Sequence, residues 1–579
     1  MSDPQATRSE GKSEGQGPLP VYLALGLLQG LALWLLTRPE SAGVFSGHPS
    51  LLSASIHFAA GAPLAWYLLA ASPLRPLARA CAALAIAALI CGLAAHAAAT
   101  SGDSREPFSF MLAAAVLAYV LVVLSAGFDA QRRWFSYPRL FEHGWRNALM
   151  VGAAGALTGI FWVLLWGAAL LLGALGIDTL STLLKERVVA AVLSCTAFAF
   201  FVFQVTLRDE ALVALRKFWL TLNTWFLPLA LLLAIVWVLA LFAVGADPLF
   251  QTRRAALLLF WFVALGVLFM NAAYQDGRAV PYGSRIARLI SWAWLSMPVL
   301  AAVGLWALSL RVAQHGWSVD RLWAAVVGAM ALLYGIGYSA SALSRSRWMP
   351  TVETTNIVAA MALAVAIAMF TGPVADFRRI AVDSQVSRLR SGQSTLAAFD
   401  FRALKREGGQ WGREALAQLA TDASVAAAAR SAAKAQLAGT ESGLQEQDHG
   451  QALAALRKDV RVLPAGALPD PLLLELLSRD KADWSERMCL QDAAHCALWI
   501  VDLDGDGTAE AVLLRENDKL VEATLYAKGP NGWARETQLH GPAVPMADWT
   551  AAIEARVAVP VKPRWPDLQL GSRRYSARQ

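Results

Sequence analysis

One stretch of this sequence has both the residue types and the spacing for chemistry: Asp502-Leu-Asp-Gly-Asp-Gly-Thr-Ala-Glu510. Asp502, Asp504 and Asp506 stand at positions one, three and five of a tight loop, where alternate side chains point inward and carboxylates converge on a hard cation. Gly507 permits the sharp turn, Thr508 can offer its backbone carbonyl, and Glu510 holds position nine. Position twelve is Leu513, where an EF-hand carries a bidentate glutamate, and the flanks read as strands rather than helices. The expectation is a Ca2+ loop between two strands, structural in role, at the weak affinity of extracellular modules, roughly 10⁻⁴–10⁻³ M. The competing reading is a solvated acidic turn.

Just before this loop stand Cys489 and Cys496. In an oxidising compartment they can close a small disulfide ring worth roughly 2–3 kcal/mol by loop entropy; two separate thiols are the alternative. Cys81, Cys91 and Cys195 fall in apolar stretches, as small buried residues do.

The elements that must hold the loop are short. Ala497–Val501, Ala511–Leu514, Leu520–Ala527 and Trp533–Gln538 read as strands between turn residues such as Gly529-Pro-Asn-Gly532. They predict an α+β domain over residues 451–561, a small antiparallel sheet with helices on one face, followed by a polar tail over 562–579. Residues 374–450 read as helical up to about Ala438, with Phe377, Ile380, Val386 and Leu389 as an apolar stripe interrupted by Asp383. Interspersed arginines make that segment an amphipathic helix suited to a headgroup surface. Ser442–Gly450 reads as a linker.

Everything before Pro373 is different. The chain is 56% hydrophobic and 16% charged with a mean hydropathy of +0.45, an average that includes the polar tail. A bilayer core of about 30 Å needs about 20 apolar residues per helix. Eleven stretches qualify: about Leu19–Thr37, Leu51–Ala71, Leu77–Ala99, Phe108–Phe128, Ala148–Ile177, Val188–Leu207, Leu220–Val244, Ala255–Ala273, Ile290–Leu310, Leu322–Leu343 and Thr354–Thr371. The expected fold is therefore an all-α polytopic membrane bundle of about 11 transmembrane helices over residues 19–373, with a C-terminal extracytoplasmic α+β domain. Residues 1–18 are polar, and the first span reads as a retained signal-anchor.

Arginine-rich loops such as Arg132, Arg133, Arg139 and Arg146 alternate with loops poorer in basic residues, so the positive-inside rule puts the N-terminus in the cytoplasm and the tail outside. Arg253 and Arg254 break the pattern. The net charge of +7 belongs to these loops and does not argue for nucleic acid.

The middles of the spans lack acidic and basic side chains, which weighs against ion-coupled transport. Pro228, Pro298 and Asn271 are candidate helix breaks, and Glu353 an interfacial residue at a helix start. His57 and His96 can approach each other on neighbouring spans, although no metal-type spacing supports a site. Gly155-Ala-Leu-Thr-Gly159 has the spacing of close helix packing.

Three loop-placed segments carry a resemblance. Arg311-Val-Ala-Gln-His-Gly-Trp-Ser-Val-Asp-Arg321, Ser384-Gln-Val-Ser-Arg-Leu-Arg-Ser-Gly392, and Phe399-Asp-Phe401 with Gly409-Gln-Trp-Gly-Arg413 are similar to a bacterial membrane family catalogued as domain of unknown function 4153. Arg285–Leu295 also resembles it. The resemblance implies a multi-pass inner-membrane protein and brings no substrate or catalytic residue. Arg311, His315, Asp320 and Arg321 then stand at the outer interface, where they can cap helices, pair, or contact a ligand or lipid headgroups.

The first functional reading is a non-catalytic envelope protein of the inner membrane, anchored in the lipid bilayer, whose outside module binds an envelope protein or lipid. The alternative is a small-molecule or lipid transporter or flippase. An enzyme acting on a lipid-linked substrate ranks below both, since no HExxH, GxSxG or Walker-type motif is present.

Overall fold

Long apolar runs with few breakers can satisfy their backbone in a bilayer only as helices, and helices dominate this computed structural model. It describes residues 18–38, 41, 44–45, 48–70, 72–101, 108–245, 255–344, 347–396, 399–438, 460–465, 470–477, 496–517, 520–529, 532–539, 544–558, 568–570 and 573–575. The N-terminal polar segment, the Arg253–Arg254 pair, the Ser442–Gly450 linker and Cys489 lie outside the described residues.

The first helices are α1 (Leu19–Leu36), α2 (Pro49–Leu69), α3 (Pro76–Ser101) and α4 (Phe108–Gly127), then a two-residue hairpin of β1 (Phe128–Asp129) and β2 (Trp134–Phe135). There follow α5 (Tyr137–Ala174), α6 (Thr179–Lys185), α7 (Arg187–Thr206), α8 (Asp209–Val244) and α9 (Ala255–Tyr274). Then come α10 (Ser284–Ala293), α11 (Ser296–His315), α12 (Val319–Ser339) and α13 (Val352–Thr371). Among the described residues, eleven helices are long and apolar enough to cross a membrane, α10 and α11 together making one of them. They coincide with the eleven stretches read from the sequence. At 1.5 Å per residue, α5 is about 57 Å long and α8 about 54 Å, well beyond a core of about 30 Å. Their polar first turns were missed because only the apolar part of each helix stands out in hydropathy.

Of the proposed helix breaks, only Pro298 marks one. It stands in the first turn of α11, just after the interruption at Trp294–Leu295, a position where a missing N–H costs little. Pro228 lies within an unbroken α8, and Asn271 within α9, its side-chain amide donating to the Val267 carbonyl at 2.9 Å. The Gly155/Gly159 pair does not pack: a Cβ at either would meet nothing within 4 Å. The close approach is made instead by Gly26 and Gly30 of α1 on α7, where a Cβ would stand 2.8 Å from the Cys195 carbonyl oxygen and 2.6 Å from Val192 Cα.

Past α13, α14 (Phe377–Arg390) and α15 (Phe401–Thr421) belong to the same compact unit, which ends at Arg430. Phe377 stacks on Phe370 of α13 at 4.4 Å and meets Trp323 of α12 edge-on at 4.9 Å. The apolar stripe of α14 is therefore used against the ends of α12 and α13. A further helix, α16 (Ala427–Ala438), leads into the second unit.

The second unit is a five-stranded sheet in the order β3 (Arg461–Leu463), β4 (Cys496–Val501), β5 (Glu510–Asn517), β6 (Leu520–Gly529), β7 (Gly532–Leu539). The four strands read from the sequence are β4 to β7, an antiparallel meander, but β3 adds a parallel pairing to β4. Both faces are covered, correcting the one-sided sheet. Leu473 and Leu474 of α17 (Pro471–Leu477) pack on Leu498 and Leu513, while Ile553 of α18 (Met546–Glu554) packs with Trp499 and Val512 opposite. Covering both faces is why β4 reads as a continuous apolar run. A short hairpin of β8 (Leu568–Leu570) and β9 (Arg573–Tyr575) follows.

Candidate functional sites

The acidic loop sits where the strand pattern put it. Val501 pairs with Glu510 as the last rung between β4 and β5, and residues 502–509 form the connection. Gly505 and Gly507 take φ of +79° and +85°, a region costly for any side-chain-bearing residue. The turns aim backbone N–H groups at the carboxylates: Gly505 and Gly507 donate to Asp502 at 2.7 and 3.0 Å, Thr508 to Asp506 Oδ1 at 2.6 Å, and Leu503 to Glu510 Oε2 at 2.7 Å. One oxygen each from Asp502, Asp504 and Glu510 lie within 4.8 Å of one another. Oxygens bound to one Ca2+ at 2.3–2.6 Å can be about that far apart, so this donor set fits the ion. Asp506 and Thr508 are exposed and stand outside that trio.

A second constellation joins the ends of four helices in the membrane unit. Tyr137 Oη donates to Asn271 Oδ1 at 3.3 Å, and Asn271 Nδ2 to Tyr338 Oη at 3.1 Å. Tyr338 Oη donates to Asn356 Oδ1 at 2.6 Å, and Asn356 Nδ2 to both Tyr137 Oη (3.0 Å) and Asn271 Oδ1 (2.7 Å). With the Val267 bond, all six polar hydrogens of the ring are engaged, so it locks α5, α9, α12 and α13 together. Nearby, Glu353 accepts from Tyr274 Oη and from Arg347, each at 2.8 Å. Above the ring lies a cavity of about 400 Å³ between α4, α5, α9, α12 and α13. Of this ring, sequence reading picked out only Asn271, because tyrosines and asparagines at helix ends have no distinctive spacing.

The opposite end of the bundle is organised by Asp376. Its Oδ1 caps α14 by accepting from Arg378 N–H at 2.8 Å, while Oδ2 meets His96 Nε2 of α3 at 3.0 Å and Trp411 Nε1 of α15 at 3.1 Å. Arg378 donates to Ser101 Oγ at 2.7 Å. His96 is thus held by a carboxylate, whereas His57 meets the Ser53 carbonyl at 2.9 Å and packs against Phe110.

The segments behind the family resemblance come together at this end. Arg388 donates to the carbonyls of Ala313 and Gln314 at 3.0 and 2.7 Å, and Gln385 to those of His315 and Trp317 at 3.0 and 2.9 Å. The bonds to Ala313, Gln314 and His315 satisfy orphan carbonyls at the end of α11, and the one to Trp317 holds the loop that follows. Arg321 reaches the Gly316 carbonyl at 2.8 Å, and Asp320 stands in the first turn of α12. Among Arg311, His315, Asp320 and Arg321, it is Arg321 and the His315 backbone that take part in this loop's structure. Gly409, at φ +57°, lets α15 kink where a Cβ would lie 2.2 Å from the Thr100 carbonyl oxygen. Interlocking of segments far apart in sequence marks one structural unit, and comparison with known proteins agrees in extent. No curated protein and no solved structure matches the chain. The model described as Domain of unknown function (DUF4153) matches residues 58–420, more than half of the chain, and the chain belongs to that family.

Proposed function

We propose that this chain is a non-catalytic, multi-pass protein of a bacterial inner membrane that presents its C-terminal module outside the cytoplasm. The observation that carries the reading is the odd number of spans among the described residues, eleven, between an N-terminus assigned to the cytoplasm by arginine bias and a separate α+β unit. In this reading Asp502, Asp504 and Glu510 hold a structural Ca2+, joined by Asp506 and the Thr508 carbonyl once the ion orders the loop. Cys496, buried at the start of β4, pairs with Cys489. The module's partner is an envelope protein or a lipid. Fusions of alkaline phosphatase and of a fluorescent protein after residue 374 test the topology: phosphatase activity with no fluorescence is expected, and the reverse refutes it. Calcium titration of the full chain should raise its melting temperature, and Asp504→Ala should remove the shift.

Transport of a small molecule or lipid ranks second. The cavity among the helices favours it, but a polar solute would find every hydrogen of the Asn–Tyr ring already engaged. Enzymatic action ranks last, because His96 and Asp376, the histidine–carboxylate pair of the membrane unit, serve to join α3, α14 and α15.

A further inference from the structure

The 400 Å³ cavity in the membrane unit falls within the range of small-molecule sites, about 300–1,000 Å³. Among the described residues no charged side chain lines it, and its walls are mostly aliphatic and aromatic, with Val120, Leu140 and Phe141 among them. Its polar floor, the Asn–Tyr ring, has no hydrogen to offer. Two other lining groups do: Tyr334 Oη and Trp145 Nε1 have no hydrogen-bond partner among the described residues. An occupant must therefore be apolar in body and carry uncharged oxygen acceptors.

Depth and shape narrow the class. The first eleven residues of α5 include Arg139, Glu142, His143 and Arg146, the composition of a headgroup zone, and the uninterrupted apolar run begins at Ala148. The cavity spans this boundary, the level at which glycerolipid ester groups lie. Ala148 is the one exposed residue of the lining and marks the mouth. From there Gly152, Gly155 and Gly159 follow at helical spacing along one face of α5, and a Cβ at any of the three would meet nothing within 4 Å. That shallow track runs about 16 Å towards the middle of the membrane.

We propose that this cavity binds one ester-linked membrane glycerolipid, its ester oxygens accepting from Tyr334 Oη and Trp145 Nε1 and one acyl chain lying along Ala148–Gly159. The site is independent of the C-terminal module and of its orientation. The test uses the full chain in nanodiscs with a phosphatidylglycerol carrying a photoactivatable diazirine in one acyl chain. Label is expected to concentrate in the peptide containing residues 140–160 and to be competed by unlabelled diester lipid. A diether analogue, which lacks the carbonyl acceptors, should compete about five-fold less well, and Tyr334→Phe should lose label by a similar factor. Ala148→Phe, at an exposed position, should close the mouth and abolish the label with an unchanged melting temperature. Label spread evenly over α5 and α8 and unaffected by Ala148→Phe would mean annular lipid only and overturn the proposal. Equal competition by diether and diester lipids would overturn the ester assignment. Disulfide-linked dimers formed by Gly155→Cys would show that a second copy covers the track, and would also overturn it.

Discussion

The indole N–H of Trp411 donates to Asp376 Oδ2 at 3.1 Å, on the same oxygen that His96 meets at 3.0 Å. One carboxylate thereby joins the end of α3, the start of α14 and the middle of α15. Because Asp376 is also the N-cap of α14, local helix initiation and tertiary docking depend on the same side chain.

Replacing it should therefore release α14 and α15 without disturbing the spans. Asp376→Ala removes a cap and two hydrogen bonds to a charged acceptor, a loss of about 2–4 kcal/mol in docking. Tryptic cleavage between Arg402 and Arg413 should accelerate, while the yield of membrane-inserted protein stays at the parental level. Asp376→Asn, which can still cap α14, should give an intermediate rate.

The Asn–Tyr ring predicts a graded series. Asn356→Leu removes three hydrogen bonds and leaves Tyr338 and Asn271 partly unsatisfied. At about 0.6–1 kcal/mol per interhelical bond, it should cost about 2–3 kcal/mol in detergent. Tyr137→Phe should cost less, since it leaves the Asn271–Tyr338–Asn356 bonds in place. Equal effects on the melting temperature would contradict the closed network.

Glycine substitutions should separate packing from open space. Gly26→Leu and Gly30→Leu drive a side chain into the backbone of α7, and overpacking of that kind costs about 1–3 kcal/mol or more. Gly155→Leu should leave thermal stability within about 0.5 kcal/mol of the parent, since nothing faces it.

That contrast also indicates how far the sequence can be read. The spans were legible because a bilayer demands length and apolarity together, and β4 to β7 because turn residues separate alternating or apolar runs. The acidic loop was legible because its ligand spacing is local. What could not be read were relations between distant segments. Gly26 and Gly155 have the same local neighbourhood of small and apolar residues, and only the neighbouring helix distinguishes them. The partners of Asn356 lie as far away as Tyr137, and β3 joins β4 across an insertion of more than thirty residues. The second covered face of the sheet follows from α18, whose apolar residues are too few to specify which face they meet.

Acid should weaken the C-terminal module through Asp470. Lys528 Nζ donates to its carboxylate at 2.8 Å, and the Trp533 indole and, at 2.9 Å, the Leu472 amide add to it, which together hold the group down at about 2. An unfolded chain binds that proton near the ordinary aspartate value of about 3.9. A folded pKa below the unfolded one contributes stability that is fully present above about pH 4 and is lost as the pH falls towards 2. Lys528 is partly exposed, so the pair is screened and the contribution is at most about 1 kcal/mol. Lys528→Met should therefore make the module less stable at neutral pH and flatten its acid dependence between pH 4 and 2. Fluorescence of Trp499 and Trp549, each read against a Phe variant in the full chain, can follow the transition. An unaltered acid limb in Lys528→Met would show that Asp470 is held by the Trp533 indole and its backbone contact without the lysine.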